Sequence, residues 1–375
     1  MRILFIGEYS NVHWTLAEGL RALGHTVTVI SDGNSWRQYP RDIDLRRTKI
    51  SKWSGVAYFC KVLSLLRRMR GYDVVQLINP DFIWLKSHWQ KRIYQYLRRK
   101  NKHLFIGAYG CDWYWVDAGM NKKQFRYGDF YIGDRMRTDE PQVKKMIAEW
   151  TDTPKGRYAR YVMNDCDGIP SCLYEYQVCY ASYFPEKTRF IPLPIKVVGT
   201  PDCSFHGYPV RFFIGIDSQR MRVKGTDIMY HALLRLRERY PSRCEVVKAE
   251  DVPFAQYERM MEGCDVIVDQ LYSYTPSMSP LQAMAKGIIC VGGGEPEHYA
   301  MLGEAELRPI INVEPDEASV YAALEDLLLH PERIPELKRQ SVEYVRRHHD
   351  HLKVARQYLD FYNSISEQKE GGPSR

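Results

Sequence analysis

The sequence predicts an α/β protein made of two doubly wound parallel-sheet domains with a cleft between them. Three observations carry this expectation. Short apolar runs rich in β-branched residues alternate with helical apolar stretches along the whole chain. The alternation falls into two blocks, separated by the Pro- and Gly-rich stretch Pro192–Pro209. The 375 residues, 45% hydrophobic and 26% charged, suit a folded chain of two or three domains at roughly 150 residues each.

The first block opens with a strand at Arg2–Ile6, a helix at Val12–Leu23 and, after Gly24-His25, a strand at Thr26–Ile30. That spacing suits a parallel pair with a helical crossover. The pattern continues as helix Val56–Met69, strand Val74–Ile78, helix Ile83–Arg99 and strand His103–Ala108. Strand Gly168–Ser171, helix Leu173–Tyr183 and strand Thr188–Ile191 follow. The second block reads strand Val210–Ile214, helix Thr226–Tyr240, strand Cys244–Lys248, helix Phe254–Glu262, strand Asp265–Asp269, helix Pro280–Lys286 and strand Gly287–Val291. Helices at Ala318–Leu329, Pro335–Arg347 and Leu352–Ile365 close the chain, with a frayed end at Glu367–Arg375. The expected organisation is a first domain over 1–195, a linker over 196–209 and a second domain over 210–350. A last helix and tail over 351–375 are expected to cross back to the first domain.

Charge separates the blocks. Residues 1–200 carry 32 Lys and Arg against 19 Asp and Glu, while residues 201–375 carry 21 against 27, so the halves face different partners. The opening apolar run is too short for a signal-peptide core, and no stretch reaches the roughly 18 apolar residues of a membrane span. Nine scattered cysteines without a CxxC pair argue against a disulfide framework or zinc knuckle and suggest a reducing cytoplasm.

Two motifs mark the second block. In Gly215-Ile-Asp-Ser-Gln-Arg220-Met-Arg222-Val-Lys224-Gly225 a strand ends in a basic loop that opens a helix. Lys224 with Arg220 or Arg222 would neutralise a diphosphate there, and the alternative is a solvated basic loop. In Tyr274-Thr-Pro-Ser277-Met278-Ser279-Pro-Leu-Gln282 a small-residue turn opens a short helix. Ser277 and Ser279 would cap it or donate to a phosphate or sugar hydroxyl. Neither motif, nor Gly7-Glu8-Tyr9-Ser10, has the dinucleotide or Walker pattern.

These pieces in this order resemble the retaining glycosyltransferases of the group-1 class, family four. The resemblance rests on the opening strand–helix–Gly24-His25–strand, on Gly168-Ile-Pro-Ser171 leading to Phe190-Ile-Pro192, on Lys224-Gly225 and on Cys264-Asp265-Val-Ile-Val-Asp269. Leu281-Gln-Ala-Met-Ala-Lys-Gly287, where the family reads E-A-M-A-x-G, is its most specific part. It implies the GT-B fold, two facing Rossmann-like domains with nucleotide sugar held by the second and acceptor by the first. It also implies a donor site at Gly215, Arg222, Tyr274, Ser277, Met278, Ser279 and Gln282. The chain departs from the family where two glutamates seven residues apart are usual, since Tyr274 and Gln282 stand there.

In the first block Tyr109-Gly110-Cys111-Asp112-Trp113-Tyr-Trp115 follows a strand. The resemblance makes Asp112 a catalytic candidate beside Lys224 and Arg220, facing the acceptor hydroxyl or an oxocarbenium-like centre. The alternative is a helix cap beside core aromatics. Trp113 would stack on a sugar, and Asn11 and His13 face the expected acceptor side. Residues 46–102 hold 15 Lys and Arg, only two acids, and interleaved Trp and Tyr, which suits an anionic membrane surface better than nucleic acid. The expected function is transfer of a sugar from a nucleotide-diphosphate sugar to a glycan acceptor, lipid-linked, in cell-surface polysaccharide synthesis. It would need no metal or cofactor and would work at the inner membrane face. The alternatives are a catalytically impaired nucleotide-sugar-binding scaffold and a nucleotide-sugar 2-epimerase.

Overall fold

The computed structural model describes residues 1–34, 37–47 and 51–370, with side chains to 367. Residues 48–50 of the basic span and 371–375 of the expected frayed end lie outside the described residues.

The first half builds β1 (Arg2–Ile6), β2 (Thr26–Ser31), β3 (Ile43–Asp44), β4 (Val74–Leu77) and β5 (His103–Ile106) into one parallel sheet in the order β3-β2-β1-β4-β5. Ile3, Leu4, Phe5 and Ile6 are all fully buried, as a strand covered on both faces requires. A short antiparallel hairpin, β6 (Tyr131–Ile132) and β7 (Arg135–Met136), follows. The parallel pair β8 (Ile169–Ser171) and β9 (Thr188–Phe190) is bridged to the β5 side through Phe105–Gly168 and Ala108–Ser171, so it continues the first sheet. The second half builds β10 (Val210–Ile216), β11 (Cys244–Glu250), β12 (Val266–Val268), β13 (Ile289–Gly292) and β14 (Ile311–Asn312), again parallel, in the order β11-β10-β12-β13-β14.

The final helix, His351–Glu370, returns to the first half. Val354, Tyr358, Phe361 and Tyr362 are buried among Ile3, Phe5 and Leu16. Gly19 permits this approach, because a Cβ there would lie 2.5 Å from the His351 carbonyl oxygen. The chain crosses where Ile195 bridges Asp350.

Sequence reading leaves residues 116–167 without elements. The structure forms helices Pro141–Trp150 and Pro154–Asp165 there. Proline opens each helix in its first turn, and Thr153 caps the second by accepting from the Gly156 amide.

Strand order places the site. In the first sheet the order reverses between β1 and β4, and in the second between β10 and β12. Ligands of doubly wound sheets sit beyond the strand carboxyl ends at these reversals. Here those ends are Gly7–Tyr9 and Ile78–Asp81 in one half, Asp217 and Asp269-Gln270 in the other.

Candidate functional site

The two reversals meet in a cleft of about 520 Å³. The second half contributes Asp217, Arg220, Lys224, Gln270, Ser277 and Met278, and the first contributes Tyr9, Asp81, Cys111, Trp115, Asp129 and Lys155.

Lys224 is the electrostatic centre. β10 ends at Ile216, and Arg220 leads into a single helical turn, Met221–Lys224. Gly225 then takes a left-handed φ of 71° before helix Thr226–Arg239. The Leu271 amide donates to the Lys224 carbonyl at 2.9 Å, which ties this turn to the loop after β12. Burial, reinforced by the nearby Arg220 charge, lowers the Lys224 ammonium to about 8, against the opposing fields of Asp269 and Asp217. The ammonium makes no ion pair with any described residue. Asp269 is pushed up to about 6 by burial, with Lys224 pulling it back. A half-buried cation without a direct partner, beside the more exposed Arg220, favours an anionic ligand.

A segment of the first half straps across to the second. Arg126 pairs with Glu295 at 2.6 Å and with Glu297, and its amide donates to the Tyr274 hydroxyl at 2.8 Å. Tyr127 donates to Glu295. Arg137 donates to the carbonyls of Arg222 and Val223 at 2.7 and 3.1 Å. The buried carboxylate of Glu175 accepts from the amides of Tyr274 and Thr275 and from the hydroxyls of Ser273 and Thr275. Burial raises the Glu175 carboxyl above the usual range, and these donors oppose the shift.

No protein-family model matches the chain, and no curated protein matches it in sequence. Solved structures do match in shape. Sucrose-phosphate synthase from Thermosynechococcus elongatus is 12% identical at a TM-score of 0.61, with 98% of this chain and 100% of that one covered. The catalytic domain of starch synthase IV from Arabidopsis thaliana, bound to ADP and acarbose, is 12% identical at 0.60, with 97% and 99% covered. Anabaena Alr3699/HepE in complex with UDP-glucose is 11% identical at 0.58, with 97% and 100% covered.

The chain has the GT-B fold. Within it the residues singled out from sequence separate into three groups. Lys224, Arg220, Ser277 and Met278 line the cleft together. Gly215, Arg222, Tyr274, Ser279 and Gln282 are not in its wall. Gly215 lies under Tyr257, whose ring would be 2.6 Å from an added Cβ, and Ser279 bonds the Tyr257 hydroxyl at 2.5 Å. Arg222 turns to Glu140 at 3.0 Å. Tyr274 is 2% exposed and stacks on Tyr174 at 5.5 Å, so it packs the two halves together. Gln282 is half-buried on helix Met278–Ala285.

The third group is structural. Asp112 is fully buried and caps helix Trp113–Asp117 by accepting from the Tyr114 and Trp115 amides at 2.8 and 3.1 Å. Burial pushes it up to about 6. The cap is the role the structure gives it, and its neighbours Cys111 and Trp115 reach the cleft instead. Trp113 packs edge-on against Tyr114 and Tyr183 under the Arg160 guanidinium. His13 is fully buried, stacked on Phe5, with Nδ1 bonded to the Gly7 carbonyl at 2.8 Å and Nε2 accepting from Gln76 at 3.1 Å. Burial lowers it to about 3, which keeps it neutral and structural. Asn11 adopts a left-handed φ of 69° ahead of helix Val12–Ala22, with Nδ2 near Thr15.

Sequence reasoning missed Asp81, Glu149 and Lys155, all in the wall of the cleft. Lys155 joins Asp81 and Glu149, both at 2.5 Å. Asp81 was available as a polar residue in the loop after strand β4, the position that doubly wound sheets use for ligands. Among the described residues no three His, Cys, Asp or Glu side chains form a metal-holding group.

Proposed function

We propose that this protein is a glycosyltransferase that moves a sugar from a nucleotide-diphosphate sugar to a glycan acceptor. The observation that carries this is the Lys224 ammonium, half-buried without an ion pair at the reversal of the second sheet, facing the first half across the cleft. In this reading Lys224 and Arg220 neutralise the diphosphate, more strongly as it leaves than before, and so lower the barrier to glycosyl transfer. Ser277 and Met278, at the start of helix Met278–Ala285, line the same space. The fold shared with structures bound to UDP-glucose and to ADP and acarbose is consistent with such a donor. Retention of configuration, of the hexosyltransferase type, follows the resemblance. The domain limits proposed are 1–195, 196–209, 210–350 and 351–375.

The proposed acceptor is lipid-linked, in cell-surface polysaccharide synthesis. The proposed location is cytoplasmic, peripheral on the inner membrane face through 46–102. An exposed stripe on helix Lys52–Leu65 supports this. Trp53 is 84% and Val56 56% exposed, Cys60 and Leu63 share that side, and Lys52, Lys61, Arg67 and Arg68 surround it. The aromatics of helix Ser87–Lys100 do not add to it: Tyr94 is fully buried and Trp89 packs on Phe59. No helix among the described residues is long and apolar enough to cross a membrane.

A second reading, a nucleotide-sugar-binding scaffold without turnover, is favoured by one observation: Tyr274, at one of the family's two glutamate positions, is spent on packing the halves together. Incubation with UDP-, GDP- and ADP-sugars and a panel of glycan acceptors decides between them. Transfer that Lys224→Ala abolishes is the expected result. Binding without transfer to any acceptor favours the scaffold, and transfer untouched by Lys224→Ala removes the lysine's role.

A further inference from the structure

A second cavity, of about 630 Å³, lies in the first half beyond the carboxyl ends of β1, β2 and β4. It shares four wall residues with the main cleft: Tyr9, Asn34, Asp81 and Lys155. Asp81 is the only carboxylate among them, so it stands at the aperture between the two spaces.

The walls of this cavity differ in chemistry from one end to the other. The inner part is polar. Asp81 accepts from Gln90 and Lys155 at 2.5 Å each. Asp32 accepts from the Asn34 amide and has no ion pair among the described residues. Gln90 is 1% exposed, lines the cavity, and its Oε1 has no hydrogen-bond partner. A buried amide with an unused acceptor calls for a donor such as a hydroxyl. The outer part is apolar, formed by Leu45, Tyr58, Phe82, Ile83 and Trp84. Trp84 is half exposed, and its amide donates to the Tyr58 hydroxyl at 3.2 Å. Tyr58 is on the inner side of helix Lys52–Leu65, whose outer side carries the exposed Trp53 and Val56. Charge narrows the occupant. Lys155 is already shared by Asp81 and Glu149. Lys86 is also in the wall but exposed, next to Trp84 and Leu85 of the apolar end, and Asp32 has no ion pair among the described residues. An anionic group in the inner part would meet uncompensated negative charge.

We infer that the second cavity binds the acceptor as an amphiphile. An uncharged, hydroxylated head lies inside against Asp32, Gln90 and Asp81, and an apolar portion leaves past Trp84 toward the exposed helix face. Asp81 positions the hydroxyl that faces the main cleft. The acceptor role rests on the proposed glycosyl transfer, whereas the ligand class rests on the cavity alone.

The test uses the full chain and defined probes. These are the octyl and methyl β-glycosides of glucose, galactose, mannose and N-acetylglucosamine, with octyl β-glucuronide as the charged head. Binding is followed by calorimetry and saturation-transfer NMR, below micelle-forming concentrations. The expected result is that at least one neutral octyl glycoside binds about tenfold or more tightly than its methyl partner, since chain burial adds affinity. Trp84→Ala removes that advantage and leaves methyl glycoside binding intact. Octyl glucuronide binds at least about tenfold more weakly than octyl glucoside, and Asp32→Asn narrows the gap. Asp81→Asn weakens octyl and methyl forms alike, and Asp81→Glu restores part of the loss. The inference is overturned if no neutral octyl glycoside binds, if the glucuronide binds best, or if the octyl advantage survives Trp84→Ala. UDP, GDP and ADP titrations on the wild type and Trp84→Ala run in parallel, with equal nucleotide affinity expected. If no nucleotide binds, the transferase reading fails, while the glycoside series still decides what the cavity holds.

Discussion

Replacing Lys224 by Met should move stability and affinity in opposite directions. Burial lowers the ammonium from 10.5 to about 8, so the folded protein disfavours the charged form. At about 1.4 kcal/mol per pH unit, and allowing for the partial exposure of the side chain, this costs the ligand-free protein about 1–3 kcal/mol. The sign follows from the two pKa values. Below about pH 8 the lysine is charged in both folded and unfolded chains, so the full cost is present. As pH rises toward 10.5 the folded chain gives up its proton first and the cost fades. Lys224→Met, similar in length and uncharged, should raise the free energy of unfolding by about 1–3 kcal/mol at pH 7 and by progressively less toward pH 10.5. Affinity for a nucleoside diphosphate should fall, because a partly buried ammonium–phosphate pair is lost. A penalty of about 2–4 kcal/mol corresponds to roughly 30- to 1,000-fold in Kd. In the wild type, binding should weaken above about pH 8 and take up a proton near that pH. Urea unfolding across pH and calorimetry in two buffers of different ionisation enthalpy read both quantities. A variant that is less stable at pH 7 and binds diphosphate as well as the wild type would refute the reasoning.

Three further outcomes follow from the geometry. Glu175→Ala strips the 273–275 loop of the carboxylate that receives four hydrogen bonds and should destabilise by about 3–5 kcal/mol in urea unfolding; a change below 1 kcal/mol would show that the loop holds itself. Asp112→Ala should cost about 0.5–2 kcal/mol as a lost helix cap, and Asp112→Asn much less. If both variants lose turnover at unchanged stability, Asp112 is acting on the reaction and not as a cap. Sedimentation with vesicles containing anionic phosphatidylglycerol should capture the protein at low salt and release it as salt rises. Trp53→Ala with Val56→Ser should reduce capture several-fold; equal capture by neutral vesicles, or no effect of the substitutions, would contradict the membrane face.

The parts of the fold governed by local pattern were legible in the sequence. Uninterrupted apolar runs such as Ile3–Ile6 and Val266–Val268 mark strands buried on both faces, and they are the central strands of the two sheets. Strand β3 is two residues long and left no periodic signal. Helices Pro141–Trp150 and Pro154–Asp165 do carry apolar residues at helical spacing, Val143, Met146 and Trp150 in one and Tyr158, Ala159, Val162 and Met163 in the other, a signal that a search for strand–helix alternation passes over. Site residues divided for a physical reason. Lys224 and Arg220 lie where strand and helix junctions force them to the sheet's open end, and local sequence fixes that. Asp112, His13 and Tyr274 also follow or flank junctions. Asp112 turns to the nearby amides of Tyr114 and Trp115, a cap that local sequence already offered, and His13 turns to the Gly7 carbonyl six residues back. The ring that Tyr274 stacks on, Tyr174, comes only with the tertiary arrangement. Glu175 and Arg126 show the same limit from the other side. Each finds its partners more than 95 residues away in sequence, and no spacing rule connects them.

The most direct test of the central claim is a crystal structure with UDP, GDP or ADP soaked in at saturation. The account predicts diphosphate oxygens within about 3 Å of Lys224 Nζ, with Arg220 beside them, in the cleft between the sheets. A nucleotide seated elsewhere, or an unoccupied cleft with Lys224 turned to solvent, would contradict it.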